Sequence, residues 1–223
     1  MHVLFLPGGG GAPEFWHALG ALLPTDWEKT YLSWPGLGNQ PGGASIQSFD
    51  DLVALAEKEI KGPTVLIAQS LGGVVGIRLA LRHPSKITRL ILVATSGGVD
   101  IEKFGGEDWW PAYLNTFPNG ARWITVEKTD HTQEIPNILC PSLLIWGSND
   151  QISPVSVGNH FLSLLPKGQL HVVEDGDHYF AKERAAEIAP LIKGYLTQVE
   201  DAIDDSRFNS SLDTDALRRS DKR

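Results

Sequence analysis

Cysteine occurs once in the 223 residues, at position 140, which excludes an internal disulfide. A reducing cytoplasm is therefore the expected compartment. Cys140 precedes Pro141 at the start of an apolar run and reads as a packed thiol, not a reactive one. Positive charge is also short: 19 Lys and Arg stand against 27 Asp and Glu, a formal net charge of −8. Nucleic acids and anionic membranes need a basic face, so neither is expected as a partner. Long hydrophobic runs are missing. The opening stretch MHVLFLPGGGG has a short apolar segment and no basic leader, so neither a signal peptide nor a membrane span is expected. There is no GKS or GKT, and position 13 is proline where G-x-G-x-x-G would need its last glycine, which argues against nucleotide binding. No cluster of His and Cys suggests zinc, and no metal or cofactor is expected.

What is present is ordinary for a globular chain, 42% hydrophobic and 21% charged. Short apolar runs at Val3–Leu6, Lys29–Trp34, Thr64–Gln69, Lys86–Thr95, Pro141–Gly147 and Gln169–Glu174 predict six strands. Helical periodicity predicts helices over Pro13–Leu23, Ser48–Lys61 (capped by Ser48 or Asp50), Leu71–His83, Val155–Leu165 and Phe180–Gln198. Continuous apolar strands alternating with helices make a mostly parallel sheet covered on both faces, a three-layer α/β/α sandwich. One α/β domain is expected over 1–198. Residues 97–135, rich in Trp, Gly and Pro, interrupt the alternation as a short helical or irregular lid. Residues 199–223 are polar and charge-dense, and are expected to be disordered.

In a parallel sheet, ligands bind beyond the carboxyl ends of the strands. Gly8–Gly11 follow the first predicted strand, Ser70 the third, Asp150 the fifth and His178 the sixth. A nucleophile, an acid and a base thus fall on one rim. Each has a plainer reading. A serine opening a helix is usually an N-cap, and Asn149-Asp150 is a turn-forming pair. Asp100, after the fourth strand, rivals Asp150 as the acid.

The pentapeptide Ala68-Gln69-Ser70-Leu71-Gly72 resembles the nucleophile elbow, G-x-S-x-G, of the α/β-hydrolase fold. There the strand turns so sharply into a helix that the residues two before and two after the serine must be small. Ala68 replaces the commoner glycine. The family order of Ser, then acid, then His is met by Ser70, Asp150 and His178. Trp146-Gly147-Ser148-Asn149-Asp150 is similar to the family's acid loop, and Gly176-Asp177-His178 to its histidine loop. The resemblance covers residues 2 to 197 and implies a small serine esterase-like member with a reduced lid and no leading hairpin. It implies a Ser70-His178-Asp150 triad, with the backbone N–H groups of Leu71 and Gly9 as an oxyanion hole (Gly10 as the fallback). Most relatives carry His-Gly where Pro7-Gly8 stands here. Trp109, Trp110 and Tyr113 in the lid are candidates for an apolar substrate pocket, though packing of a small cap accounts for them equally well.

The expected activity is hydrolysis of carboxylic esters of small to medium size through an acyl-enzyme, with a small-molecule ester as partner. A lyase or thioesterase using the same triad, similar to the menaquinone-pathway synthase, is the alternative. That synthase carries an arginine just after the elbow glycines. Here Val74 holds that place, with Arg78 one turn further on. A non-catalytic ligand-binding receptor is the third reading.

Overall fold

Alternate residues along each central strand point to opposite faces, and both faces are apolar. Leu4, Leu6, Leu66, Ala68, Leu90, Leu92, Leu144 and Trp146 join one buried cluster. Val3, Phe5, Val65, Ile67, Ile91, Val93, Leu143 and Ile145 join another. A strand apolar on both sides must be covered on both sides, which forces helices above and below the sheet. The computed structural model describes residues 1–42, 44–127 and 129–197. The tail at 199–223 lies outside the described residues.

Six strands form one all-parallel sheet: β1 (His2–Leu6), β2 (Glu28–Tyr31), β3 (Thr64–Gln69), β4 (Ile87–Val93), β5 (Ser142–Gly147) and β6 (Gly168–Val173). Their order is β2-β1-β3-β4-β5-β6. The chain starts near the middle, winds to one edge and returns to build the other half, so β1 and β3 flank the point where the winding reverses. The helices α1 (His17–Leu22), α2 (Phe49–Glu57), α3 (Gly72–Arg82), α4 (Trp110–Thr116), α5 (Trp123–Val126), α6 (Val155–Leu164) and α7 (Phe180–Glu183) follow, and α8 covers 185–197. Helices α2, α3 and α6 pack with the first cluster. Helices α1, α7 and α8 pack with the second. Among the described residues no helix is long and apolar enough to cross a membrane.

Several expected boundaries move. The second strand ends at Tyr31, not Trp34, and the helix expected over Phe180–Gln198 is interrupted at Arg184. There the Arg184 guanidinium donates to the Glu174 carbonyl at 2.6 Å and pairs with Glu187. The sixth strand is an edge strand with mostly exposed side chains, not a buried run. Ser48 caps α2, its hydroxyl accepting from the Asp51 N–H at 3.2 Å.

The lid is partly helical: short 3₁₀ turns at Ile101–Phe104 and Ile135–Asn137 bracket α4 and α5. Arg78, on α3, fastens it. Its guanidinium reaches Asp50 at 3.2 Å and Glu127 at 3.3 Å, and its Nε donates to His131 Nε2 at 3.1 Å. Glu127 in turn accepts from the Phe49 N–H at the start of α2. Burial, and then the Arg78 charge, hold the His131 pKa below 6.5, against the pull of Glu134, Asp130 and Asp50. A folded-state pKa below the unfolded value means that protons favour the unfolded chain. The melting temperature is therefore expected to fall as pH drops below ~6.5 and to level off below the depressed value. His131→Phe should flatten that decline in scans across the same range.

Candidate active site

The chain reverses at the end of β3 within one residue. Ser70 has φ of 50°, a left-handed conformation that non-glycine residues rarely adopt. A strained residue of this kind persists only where its surroundings fix it. Helix α3 follows at Gly72, so close to the loop after β1 that a methyl group there would sit 2.6 Å from the carbonyl oxygens of Leu6 and Pro7. Only glycine fits. On the other side of the elbow, the Ala68 methyl would be 3.3 Å from a side chain at Gly76. Gly76 thus returns the room that Ala68 takes in place of glycine. Thr95, two residues beyond β4, closes the turn, its hydroxyl donating to the Ser70 carbonyl and accepting from the Gly97 N–H at 2.9 Å.

The three side chains singled out in the sequence lie together. Ser70 Oγ is 3.0 Å from His178 Nε2, and His178 Nδ1 is 2.9 Å from Asp150 Oδ2 and 3.1 Å from Oδ1. Asp150 is 1% exposed. Its Oδ1 accepts from the N–H groups of Ile152 at 2.9 Å and Ser153 at 2.8 Å, so the buried carboxylate is held by backbone donors as well as by the imidazole. Asp100, the rival acid, is exposed and pairs with Lys103 at 3.3 Å. Five of the other histidines have partners elsewhere: His2 bonds Thr30 and Thr64, His83 bonds Glu57, His131 accepts from Arg78, His17 meets Tyr31 edge-on and His160 stacks on Phe104.

The glycine loop after β1 stands beside the serine. The N–H groups of Gly9, Gly10 and Leu71 donate to no acceptor among the described residues. The Trp34 indole holds this loop from below, donating to the Pro7 carbonyl at 2.7 Å. Trp34→Phe keeps an aromatic ring but loses the indole N–H and strands that buried carbonyl, which should cost about 1–3 kcal/mol in chemical unfolding.

Of the lid aromatics, Tyr113 is nearest the loop. A side chain at Gly9 would meet its ring at 3.5 Å, and the Tyr113 hydroxyl accepts from the Gly38 N–H at 3.0 Å. Burial pushes its phenol pKa up. Trp110 stacks on Tyr113 and Trp109 meets it edge-on, and both are half-buried where Tyr113 is buried. Phe117, outside the expected pocket set, faces Gly10 at 3.6 Å by the same measure. No local motif marks Thr95, Trp34 or Ser153 as part of the site; their partners, Ser70, Pro7 and Asp150, come from other elements or across a turn. Among the described residues no three metal-ligating side chains come together.

The profile of the Alpha/beta hydrolase family matches residues 3–128. The pimeloyl-[acyl-carrier protein] methyl ester esterase of Aromatoleum aromaticum is 35% identical over 42% of this chain and 37% of its own length. The biotin biosynthesis bifunctional protein BioHC of Teredinibacter turnerae is 24% identical over 88% of this chain and 44% of its own length. The matches thus span less than half of either relative. Solved structures with the same fold include a thermophilic esterase from Thermogutta terrifontis, with TM-score 0.72, 22% identity and 89% and 90% coverage of the two chains. An esterase from Exiguobacterium antarcticum aligns with TM-score 0.73, 16% identity and 88% and 92% coverage. A matched profile over more than half the sequence, on a parallel sheet with a strained serine at its turn into α3, means that this chain belongs to the alpha/beta hydrolase family.

Proposed function

We propose that the protein is a serine hydrolase of carboxylic esters of small to medium size, working through an acyl-enzyme. The continuous chain of contacts from Ser70 Oγ through the His178 ring to Asp150 carries the reading. A serine hydroxyl is a weak nucleophile until a base takes its proton. His178 Nε2 stands where that proton leaves, and Asp150 at Nδ1 fixes the tautomer and stabilises the imidazolium. Attack on the ester carbonyl places negative charge on its oxygen. The N–H groups of Leu71 and Gly9, which donate to no acceptor among the described residues, are the proposed donors for that charge, with Gly10 as the fallback. His178 then returns its proton to the departing alkoxide, leaving the acyl group on Ser70. Water, activated by the same imidazole, releases the acid. The esterase names of relatives and fold neighbours support this class of reaction. The domain would span 1–198 with its lid at 97–135.

Arg78 bears on the lyase reading. It is committed to Asp50, Glu127 and His131, and so does not stand as a free cation for a substrate carboxylate. The test is turnover of a short-chain p-nitrophenyl ester together with labelling by a fluorophosphonate. Wild type should do both, and Ser70→Ala neither. Folded wild type that binds an ester tightly, without turnover or labelling, would make the protein a receptor instead.

A further inference from the structure

Ser70 follows β3 and His178 follows β6, three strand positions away in the sheet. At the usual spacing that is about 14 Å, so the loop after β6 must arch back over the ends of β4 and β5. On the acid side this loop is well tied. The Asn149 N–H donates to the Gly176 carbonyl at 2.9 Å, and the Asp175 N–H to Ser148 Oγ at 2.8 Å. On the serine side, apart from the contact between Ser70 and His178 themselves, one hydrogen bond among the described residues joins this loop to β3 and its turn. The Gln69 side-chain amide donates from Nε2 to the His178 carbonyl at 3.2 Å. Gln69 is 2% exposed. Its Oε1 lies against Gly8, in the space a side chain at that position would need. The amide is thus wedged between the glycine loop and the histidine loop, directly before the serine.

We propose that Gln69 is a positioning residue. It pins the His178 backbone so that Nε2 faces the Ser70 hydroxyl, and it backs the glycine loop that offers the oxyanion donors. It touches no substrate. The inference rests on Ser70 acting as nucleophile. Without the amide donor the buried His178 carbonyl must turn toward water, and the ring moves with it. A shift of about 1 Å at a reacting group costs on the order of 10²-fold in rate.

The experiment compares wild type with Gln69→Leu and Gln69→Glu, using kcat, KM, the fluorophosphonate labelling rate and the melting temperature. Gln69→Leu should lower kcat and the labelling rate by about 10²-fold with KM nearly unchanged, since the loss lies in transition-state geometry. Glutamate keeps the length and, while protonated, can still donate to the carbonyl; once ionised it cannot. The ratio of Gln69→Glu to wild-type kcat should therefore start near unity at low pH and fall as pH rises. Should the leucine variant fail to fold, that falling ratio alone carries the proposal. A pH-independent ratio, or a folded leucine variant with a lowered melting temperature but wild-type kcat, overturns it and makes Gln69 a structural amide only. Wild type that neither labels nor turns over ester removes the hydrolase reading and this role together. Active wild type with unimpaired variants removes only the role of Gln69.

Discussion

Alanine at Ser70 or at His178 is expected to lower kcat for a short-chain ester by about 10⁴- to 10⁶-fold, and the double variant by no more than either alone. Removing the hydroxyl leaves the imidazole nothing to deprotonate, and removing the imidazole leaves the hydroxyl un-ionised, so the second loss has nothing left to take away. The 3.0 Å contact between Oγ and Nε2 makes the two a single unit. Ser70 directly follows β3, and when the His178 imidazole is removed the N–H groups of Ile152 and Ser153 still hold the buried Asp150 carboxylate, so the folded state should survive either change. Steady-state assays with melting temperatures measured alongside would show the pattern. Additive losses in the double variant would mean that the two groups act separately, which the proposed mechanism does not allow.

The largest structural effect is expected at Gly72. Alanine there puts a methyl group 2.6 Å from two carbonyl oxygens, Leu6 and Pro7, and both are backbone atoms that no rotamer change can move away. Either α3 backs away from the sheet or the loop after β1 is displaced. Overpacking of this kind costs about 1–3 kcal/mol and more where backbone must shift, so a fall in melting temperature of several degrees is expected. Activity should fall further than stability, because the displaced loop carries Gly9 and its N–H. Gly76→Ala is the control on the same helix. Its methyl would meet side chains and no backbone, Ala68 at 3.3 Å, Leu90 at 3.5 Å and Leu6 at 3.7 Å, and should be tolerated far better.

Much of the architecture was legible because burial on both faces leaves a strong local mark. The runs at Thr64–Gln69 and Pro141–Gly147 are apolar on both alternations and became central strands within one residue of expectation. Misplacements came where a side chain was buried for another reason. Trp34 extended the second apolar run, yet it is buried under Pro7 and lies beyond β2. The break at Arg184 depends on a carbonyl, Glu174, that periodicity within the helix does not register.

For the site, the sequence determined which chemistry stands on the rim. Small residues around Ser70, an acid loop after the fifth strand and a histidine loop after the sixth are all local requirements of a tight turn or a strand end. Tertiary structure decided what the letters left open. It put Asp150 rather than Asp100 behind the imidazole, let Gly76 make room for Ala68, closed Arg78 into an ion-paired clamp, and gave Gln69 its partner across the sheet. Each of these is a contact between residues distant in the chain. Local composition has no term for such a contact, because the distance exists only once the strands are laid side by side.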